Sequence, residues 1–340
     1  MENIGLEKEN NMQSCICTVL MISYNHESYI RLAIESVISQ KTQHKFKVHI
    51  FDDASTDGTG NIIREYAGKY PDLIVPFIAE TNRGAQQNYW EAYNSVDTKY
   101  CALLECDDYW CDEEKLQLQI DAMEQNPDCS FCAHNTLYIN ENDVYRKKED
   151  NKIFVNNRNV RKTGKYSADD FKLLYGAGWA NHLNSRVIRM NCVDLHGLKE
   201  KEDFIYDNAQ FFYLLYRGNI YFIQRVMSVY VMNMSSTFTS WQVQQKISGH
   251  FDRMLHINDS TKREFERLIC RHLGSFTGYW LRLDDIEKKI IKERSEIITA
   301  ILRVLKKLLF DVSLHSKLRK RAKRNTKRIW QRVSENLGKG

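Results

Sequence analysis

Acidic and polar side chains cluster at three places in the first third of the chain, each directly after an apolar run. The clusters are Ser23-Tyr24-Asn25, Asp52-Asp53 and Glu105-Cys106-Asp107-Asp108-Tyr109-Trp110. Carboxylates held this close repel one another unless a cation lies between them. Hard oxygen ligands on a loop suit Mg²⁺ or Mn²⁺, with substrate phosphates completing the shell. Asp107 and Asp108 therefore predict a divalent-metal site, whereas Asp112 is better explained as a helix cap.

A sheet is needed to bring these clusters together, and short apolar runs alternate with helical periodicity over the first 140 residues. The run 17–23 is continuously apolar, as expected of a strand buried on both faces. The apolar spacing between Ile30 and Ile38 predicts an amphipathic helix over 29–40. The resulting βαβαβαβα order predicts an α/β fold with a mostly parallel, Rossmann-like sheet and helices on both faces. Ligands bind beyond the carboxyl ends of such strands, so the three clusters should line one edge.

The same reasoning gives the remaining elements. Further strands are expected at 46–51, 73–79, 100–105, 183–190, 220–223 and 226–232, and further helices at 85–95, 113–125 and 207–216. Gly218 is the expected C-cap of the last of these helices. The polar stretch 140–165 predicts a mobile connection or a weak hairpin, and the chain is expected to be helical from Trp241 onward.

Composition excludes several classes of protein. With 340 residues, 43% of them hydrophobic, the chain can bury a sizeable core and is not predominantly disordered. We found no apolar stretch near the roughly 20 residues that span a bilayer. The first 13 residues carry four charges and no apolar segment, so we expect no secretory signal and a cytoplasmic location.

Nine cysteines, an odd number, stand mostly in apolar runs and predict buried thiols rather than a disulfide framework. Cys129-x-x-Cys132 with His134 raises a zinc hypothesis. No second Cys or His pair stands nearby at ligand spacing, so we interpret the segment as a strand.

Positive charge is concentrated at the end of the sequence. From Ile301 onward there are thirteen lysine and arginine residues against two acidic ones, although the formal net charge of the whole chain is only +5. An apolar stripe beside these charges favours peripheral contact with an anionic membrane surface, at the inner face of the cell membrane. A solvated helical face or a partner-binding helix explains the tail nearly as well. Nucleic-acid binding is a weaker alternative, because the rest of the chain is acidic.

An acidic residue after the second strand is also a feature of dinucleotide dehydrogenases. Their glycine-rich phosphate turn is missing here, because no glycine occurs between Ser23 and Tyr29. A diphosphate would then be held by metal, which leaves Tyr24 available to stack on a base and Asp53 to accept a hydrogen bond from it.

Four segments carry a specific resemblance to a known family. They are Thr18-Val-Leu-Met-Ile-Ser-Tyr-Asn25, Phe51-Asp-Asp-Ala-Ser-Thr-Asp-Gly-Thr59, Asn82-x-Gly84 and Leu104-Glu-Cys-Asp-Asp-Tyr-Trp110. Their order and spacing resemble the family 2 inverting glycosyltransferases, which have the GT-A fold and use nucleotide-diphosphate sugars. The form of the last segment resembles bacterial enzymes that build capsular polysaccharide, exopolysaccharide or lipopolysaccharide O-chains. The resemblance extends from about Cys15 to Tyr230.

The resemblance implies roles for the clustered residues. Tyr24 would stack on the nucleobase, usually uracil, Asp53 would contact it, and Asp52 would support that loop. Asp107 and Asp108 would occupy the metal motif, one near the ribose and metal-linked groups and the other binding Mn²⁺ or Mg²⁺ directly. The other candidate nucleotide contacts are Ser23 and Asn25, and Glu105 and Trp110 are further candidate site residues. Glu105 stands where the family more often has Asp.

The family's catalytic base is an Asp at the start of a helix in the second half, with a Gly eleven residues later. Asp207 with Gly218 has this spacing, and Tyr206 replaces the usual Glu. Asp203 is the rival candidate but does not match the helix register. His182 could face the acceptor, although a lone histidine in a strand is more often structural.

Together these observations predict a metal-dependent inverting glycosyltransferase that moves a sugar, most often from a UDP-sugar, to a hydroxyl of a cell-surface polysaccharide or lipid-linked glycan. The alternatives are a non-catalytic sugar-nucleotide-binding scaffold on the same fold and, less favoured, a nucleic-acid binder acting through the tail. The expected organisation is a flexible 1–14 segment, a GT-A domain over 15–238 with donor half 15–139 and acceptor half 166–238, and a helical region over 239–340 that ends in the basic tail 301–340.

Overall fold

The computed structural model describes residues 15–140, 154–155, 162–170, 182–197, 202–205, 207–232, 257 and 261–262. The predicted flexible N-terminus, the helices predicted from Trp241 onward and the basic tail lie outside these residues, apart from isolated positions before the tail.

The described chain forms ten strands and six helices of four or more residues. The strands are β1 (Cys17–Ser23), β2 (Phe46–Asp52), β3 (Ile74–Ile78), β4 (Tyr100–Glu105), β5 (Tyr109–Trp110), β6 (Cys129–Asn140), β7 (Phe154–Val155), β8 (Gly164–Tyr166), β9 (Val187–Arg189) and β10 (Asn219–Met232). The helices are α1 (Ile30–Ile38), α2 (Thr59–Lys69), α3 (Ala85–Asn94), α4 (Lys115–Gln125), α5 (Glu202–Ile205) and α6 (Asp207–Arg217).

These strands form one mixed sheet in the order β3-β2-β1-β4-β9-β6-β10-β5, with β7 beside β6 and β8 beside β10. Strands β3, β2, β1 and β4 are mutually parallel, and β9 is antiparallel to both β4 and β6. The parallel block puts the ends of β1, β2 and β4 at one edge, as the sequence predicts.

Side chains of the sheet alternate between two hydrophobic cores, because successive residues of a strand point to opposite faces. On β1, Val19 and Met21 pack with α1, α2 and α4, whereas Leu20 and Ile22 pack with α3, α5 and α6. All four are buried. Helices therefore cover both faces of the sheet, and the predicted α/β class with a GT-A-like arrangement is confirmed.

Three predicted strands in the second half differ in detail from the observed ones. The separate strands at 220–223 and 226–232 are one continuous strand, β10, with a register shift between Ile223 and Val226. The polar pair Gln224-Arg225 at the shift suggests the end of a strand, but the pairing with β6 continues past it, so the irregularity is a bulge. The predicted strand 183–190 begins as a single 3₁₀ turn, Leu183–Ser185, because the His182 side chain caps it.

A buried lysine gives a test of the core. Lys115 has no exposed surface, its Nζ donates to Oε1 of Gln119 at 2.8 Å, and it lies 4.0 Å from the centre of the Trp110 ring. Burial lowers the pKa of Lys115 to about 7. An unfolded lysine titrates near 10.4, so the unfolded chain binds more protons between these values and stability rises with pH across that window.

We expect the melting temperature of the wild type, relative to that of Lys115→Met, to rise by about 5 °C between pH 6.5 and pH 9. Differential scanning calorimetry at both pH values measures the difference, with Lys45→Met at an exposed position as the control. Equal slopes in wild type and Lys115→Met would show that Lys115 is not a destabilising buried amine.

Candidate functional site

The loop after β1 presents one aromatic side chain at the edge of the sheet. Tyr24 is 44% exposed, an unusual value for a large aromatic residue. Asn25 follows it in the left-handed region with φ of 56°. Its backbone N–H donates to Oγ of Ser55 at 2.8 Å, and its Oδ1 accepts from the N–H of Thr56 at 2.8 Å. Asn25 therefore fixes the turn that displays Tyr24 and ties it to the loop after β2.

Asp52 and Asp53 both lie buried in that second loop. Oδ2 of Asp52 accepts from the N–H of Ser55 at 3.0 Å, so Asp52 holds the loop, the supporting role that the resemblance implies. The Asp53 carboxylate accepts from the backbone N–H groups of Arg83 and Gly84, each at 2.8 Å. Gly84 has φ of 87°, a conformation that favours glycine. Asp53 therefore holds the Asn82-x-Gly84 turn against the edge.

An oxygen and nitrogen cluster lies at the end of β4. One ligand atom each from Glu105, Asp108 and His182 lies within 4.8 Å of the other two. His182 Nε2 is 3.7 Å from Oε2 of Glu105, and its Nδ1 is 3.6 Å from Oδ2 of Asp108. Asp107, between the two acids, is partly exposed. Glu105 and Asp108 lie close together, and a histidine from the second half joins them, whereas Asp107 of the predicted metal pair is not a member of this group.

Asp108 is the most constrained member of this cluster. Its side chain is fully buried, Oδ1 accepts from the N–H of Val231 at 2.9 Å, and Oδ2 accepts from Nδ2 of Asn184 at 2.9 Å. Oδ1 of Asn184 in turn accepts from the Ser228 hydroxyl at 3.0 Å. Each carboxylate oxygen has a second lone pair, so Asp108 is oriented by these bonds and can still bind a cation.

Electrostatics at the cluster favour a cation. Burial raises the pKa of Glu105, and the negative charges of Asp107 and Asp207 raise it further. Burial also raises the pKa of Asp108, with the charges of Asp107 and Glu105 adding to the effect. Burial lowers the pKa of His182, which favours the neutral imidazole. A divalent cation would relieve the repulsion, and carboxylate oxygens are the donors that Mn²⁺ and Mg²⁺ prefer.

Asp207, the predicted base, lies in the first turn of α6. Its charge acts on Glu105 and His182 at the cluster, and on Tyr89 beside them. The helix ends at Arg217, and the N–H of Gly218 donates to the carbonyl of Leu214 at 3.1 Å. The structure therefore brings Asp207 to the same side of the sheet as the acidic cluster, across a sequence distance of about a hundred residues.

His182 also contacts aromatic residues of the two long strands. The Tyr230 ring centre lies 4.5 Å from that of His182, and the Tyr138 ring packs edge-on at 6.5 Å. His182 thus joins the cation cluster to an aromatic wall formed by β6 and β10.

The other candidate residues are placed as follows. Ser23 is buried, and its carbonyl accepts from the N–H of Asp53 at 3.0 Å. Trp110 is 3% exposed and packs in the core against Lys115. Asp203 lies in α5, and its side chain is not among those described.

Two contacts of the cluster are not apparent from the sequence. The Tyr89 hydroxyl, on α3, donates a short hydrogen bond to Oε1 of Glu105. Asn184 supports Asp108 from the turn before β9. Neither residue has a spacing or motif that marks it, because both depend on how separate elements pack. The Cys129 and Cys132 segment lies in β6, as expected.

The fold and this edge define a GT-A α/β domain with an acidic cluster at the end of its fourth strand. Residues 18–184 match the sequence model of glycosyl transferase family 2.

Individual relatives share part of this sequence. An uncharacterised protein of Mycobacterium tuberculosis is 40% identical over 124 residues, which are 36% of each chain. The Escherichia coli UDP-Glc:alpha-D-GlcNAc-diphosphoundecaprenol beta-1,3-glucosyltransferase WfgD is 30% identical over 136 residues, 40% of this chain and 51% of WfgD. The chain therefore matches only about a third to a half of the length of these relatives.

A solved structure has a similar fold over most of its length. Residues 1–349 of S. aureus TarS, in complex with UDP-GlcNAc, match with a TM-score of 0.63 at 17% sequence identity. The match covers 96% of this chain and 92% of that one. Within the described residues, no helix has both the length and the apolarity to cross a membrane.

Proposed function

We propose that this protein is an inverting glycosyltransferase that moves a sugar from a nucleotide-diphosphate sugar to a hydroxyl of a cell-surface glycan. The observation that supports the proposal is that Glu105, Asp108 and His182 lie together at the end of β4, while the charge of Asp207, in the first turn of α6, contributes to the raised pKa of Glu105. A base on one side and a cation site on the other are the two groups that a single displacement at an anomeric carbon requires.

A UDP-sugar is the donor that we favour. Tyr24 offers an exposed ring for stacking on a base, at the edge where the loops after β1 and β2 meet. The complex of TarS with UDP-GlcNAc and the UDP-Glc in the name of WfgD support this donor class. Asp53 and Asn25 would shape the base pocket through the loops that they hold.

Glu105, Asp107, Asp108 and His182 would hold Mn²⁺ or Mg²⁺. The cation would neutralise charge on the leaving diphosphate. Asp108 would be oriented for this by Asn184 and Val231, and Glu105 by Tyr89. Burial raises the pKa values of Glu105 and Asp108, the charges of neighbouring carboxylates raise them further, and a bound cation would offset both effects.

Asp207 would act as the general base. Its carboxylate would take the proton from an acceptor hydroxyl while the hydroxyl oxygen bonds to the anomeric carbon and the bond to the nucleoside diphosphate breaks. One displacement of this kind inverts the anomeric centre. No carboxylate nucleophile is needed, unlike in retaining glycosidases.

A polysaccharide or lipid-linked glycan is the acceptor that we propose. The name of WfgD includes a diphosphoundecaprenol-linked acceptor, which supports a lipid-linked substrate for this chain. Such an acceptor lies at the membrane, where the thirteen basic residues from Ile301 onward would concentrate the enzyme.

We expect Tyr24→Ala to weaken binding of the matching nucleoside diphosphate about tenfold, since aromatic stacking on one base contributes about 1–3 kcal/mol. Tyr24→Phe keeps the ring and should bind like the wild type. Isothermal titration calorimetry measures both variants. Equal affinity in Tyr24→Ala and the wild type would mean that the base binds elsewhere.

Transfer itself is tested with radiolabelled UDP-sugars, Mn²⁺ and a bacterial lipid extract as the acceptor source. The proposal predicts label in the organic phase that depends on both protein and metal. Release of free sugar without lipid or glycan product, for every donor, would contradict the proposed transfer.

A further inference from the structure

Helix α3 contacts both the acidic cluster and helix α6 through two tyrosines that lie one turn apart. Tyr89 and Tyr93 are four residues apart, so they lie on the same face of the helix. The Tyr89 hydroxyl donates to Glu105 in the cation cluster. The Tyr93 hydroxyl accepts from Nε2 of Gln210 on α6 at 2.6 Å. The same helix therefore bonds to the acidic cluster and to the helix that carries the base.

Gln210 is the centre of a buried polar network. It has no exposed surface, its Nε2 also donates to the carbonyl of Phe204 at 3.1 Å, and its Oε1 accepts from Nη1 of Arg186 at 2.8 Å. Arg186 Nη2 donates to the backbone carbonyl of Asp207 at 2.9 Å. Arg186 is 1% exposed and is the largest of the fully buried side chains among the described residues.

Burying a network of polar side chains costs free energy of folding. An arginine out of water requires nearly all of its donors to be satisfied, and a network with one partner missing is less stable than an apolar core. Apolar side chains would fill the space between α3 and α6 at lower cost. The bonds instead end at the backbone of Asp207, which they fix relative to α3.

Resting on the proposed function, we propose that Tyr93, Gln210 and Arg186 are positioning residues that hold the general base Asp207 in register with Glu105, with α3 as the common support. None of the three need touch the substrate. Their effect would fall on the rate of transfer and not on donor binding, because a small misplacement of a base lowers the reaction rate while the nucleotide pocket stays intact.

Two variants test the network. Tyr93→Phe removes one hydroxyl and keeps the ring that packs edge-on against Phe204 at 4.9 Å. Gln210→Met removes the whole connection with little change of volume. We expect kcat to fall about tenfold in Tyr93→Phe and up to about a hundredfold in Gln210→Met, with KM for the donor and nucleotide affinity unchanged.

Tyr100→Phe is the matched control. Tyr100 is also buried, and its hydroxyl donates to Glu124 and accepts from Arg189 on the other side of β4. If loss of any buried hydroxyl slows transfer, this control will slow it as much as Tyr93→Phe does. If the network acts on the base, the control keeps the wild-type kcat even when its melting temperature falls equally.

A readout independent of turnover separates this inference from the proposed function. Hydrogen exchange of peptides covering 204–214 should be faster in Gln210→Met than in the wild type and Tyr100→Phe. If the wild type shows no transfer, the proposed function fails while exchange still tests the network. If the wild type is active and Tyr93→Phe and Gln210→Met both keep its kcat, the positioning role is overturned and the function stands.

Discussion

Asp207→Asn is expected to lower the rate of transfer about a thousandfold while nucleotide affinity stays within a factor of two of the wild type. An amide cannot accept the hydroxyl proton as a carboxylate does. The asparagine side chain has nearly the same shape as that of aspartate. The hydrogen bond from Arg186 is made to the backbone carbonyl of residue 207, so the substitution leaves it in place. Single-turnover transfer assays and calorimetry on the same preparation measure the two quantities.

Asp203→Asn is the matched control, because Asp203 is the other candidate base and lies only four residues before Asp207. We expect near wild-type transfer from it. If Asp203→Asn is inactive and Asp207→Asn turns over, the base assignment is reversed although the transferase proposal survives.

The second large effect is expected at the cation cluster. Asp108→Asn should reduce metal-dependent nucleotide binding by about a hundredfold, since it removes the charge that would face the cation. The substitution also puts an amide where Asp108 accepts from Val231 and Asn184, so one of those bonds is lost. Some loss of stability is expected with it.

Asp107→Asn separates the two effects, because Asp107 is partly exposed and its replacement should perturb folding less. We expect it to weaken metal-dependent binding as well, with a melting temperature close to that of the wild type. Unchanged nucleotide binding in both variants, measured with Mn²⁺ and with EDTA, would show that the cation does not bind at this cluster.

The first half of the fold is predictable because its signals are local. The boundaries of β1 and β4 follow from uninterrupted apolar runs, and both strands are observed as predicted. The rule that ligands gather at the carboxyl ends of parallel strands then places Tyr24, Asp53 and Asp108 at one edge. No long-range information is needed for this step.

The second half depends on contacts between distant segments, so sequence patterns are weaker there. A break in hydrophobicity near Arg225 predicts two strands, yet β10 pairs with β6 on both sides of a register shift and is a single bulged strand. Asn184 and Tyr89 carry no motif, and their roles become visible only when the turn before β9 and helix α3 meet the acidic cluster.

Asp207 is the exception in that half. Its position at the start of an amphipathic helix, eleven residues before Gly218, is a local pattern that matches the family's spacing and favours Asp207 over Asp203 as the candidate base. Arg186 and Gln210 could not be selected in this way, because buried polar residues are recognised by their partners and not by spacing.

Calorimetric titration of UDP, GDP and dTDP into the wild-type protein, each with Mn²⁺ and with EDTA, tests the proposed sugar-nucleotide site most directly. This measurement examines the nucleotide and the cation together and needs no acceptor. We predict binding of one nucleoside diphosphate, UDP, that depends on Mn²⁺ and is lost in EDTA. Absence of binding for all three nucleotides in the presence of Mn²⁺ would contradict the proposed sugar-nucleotide site.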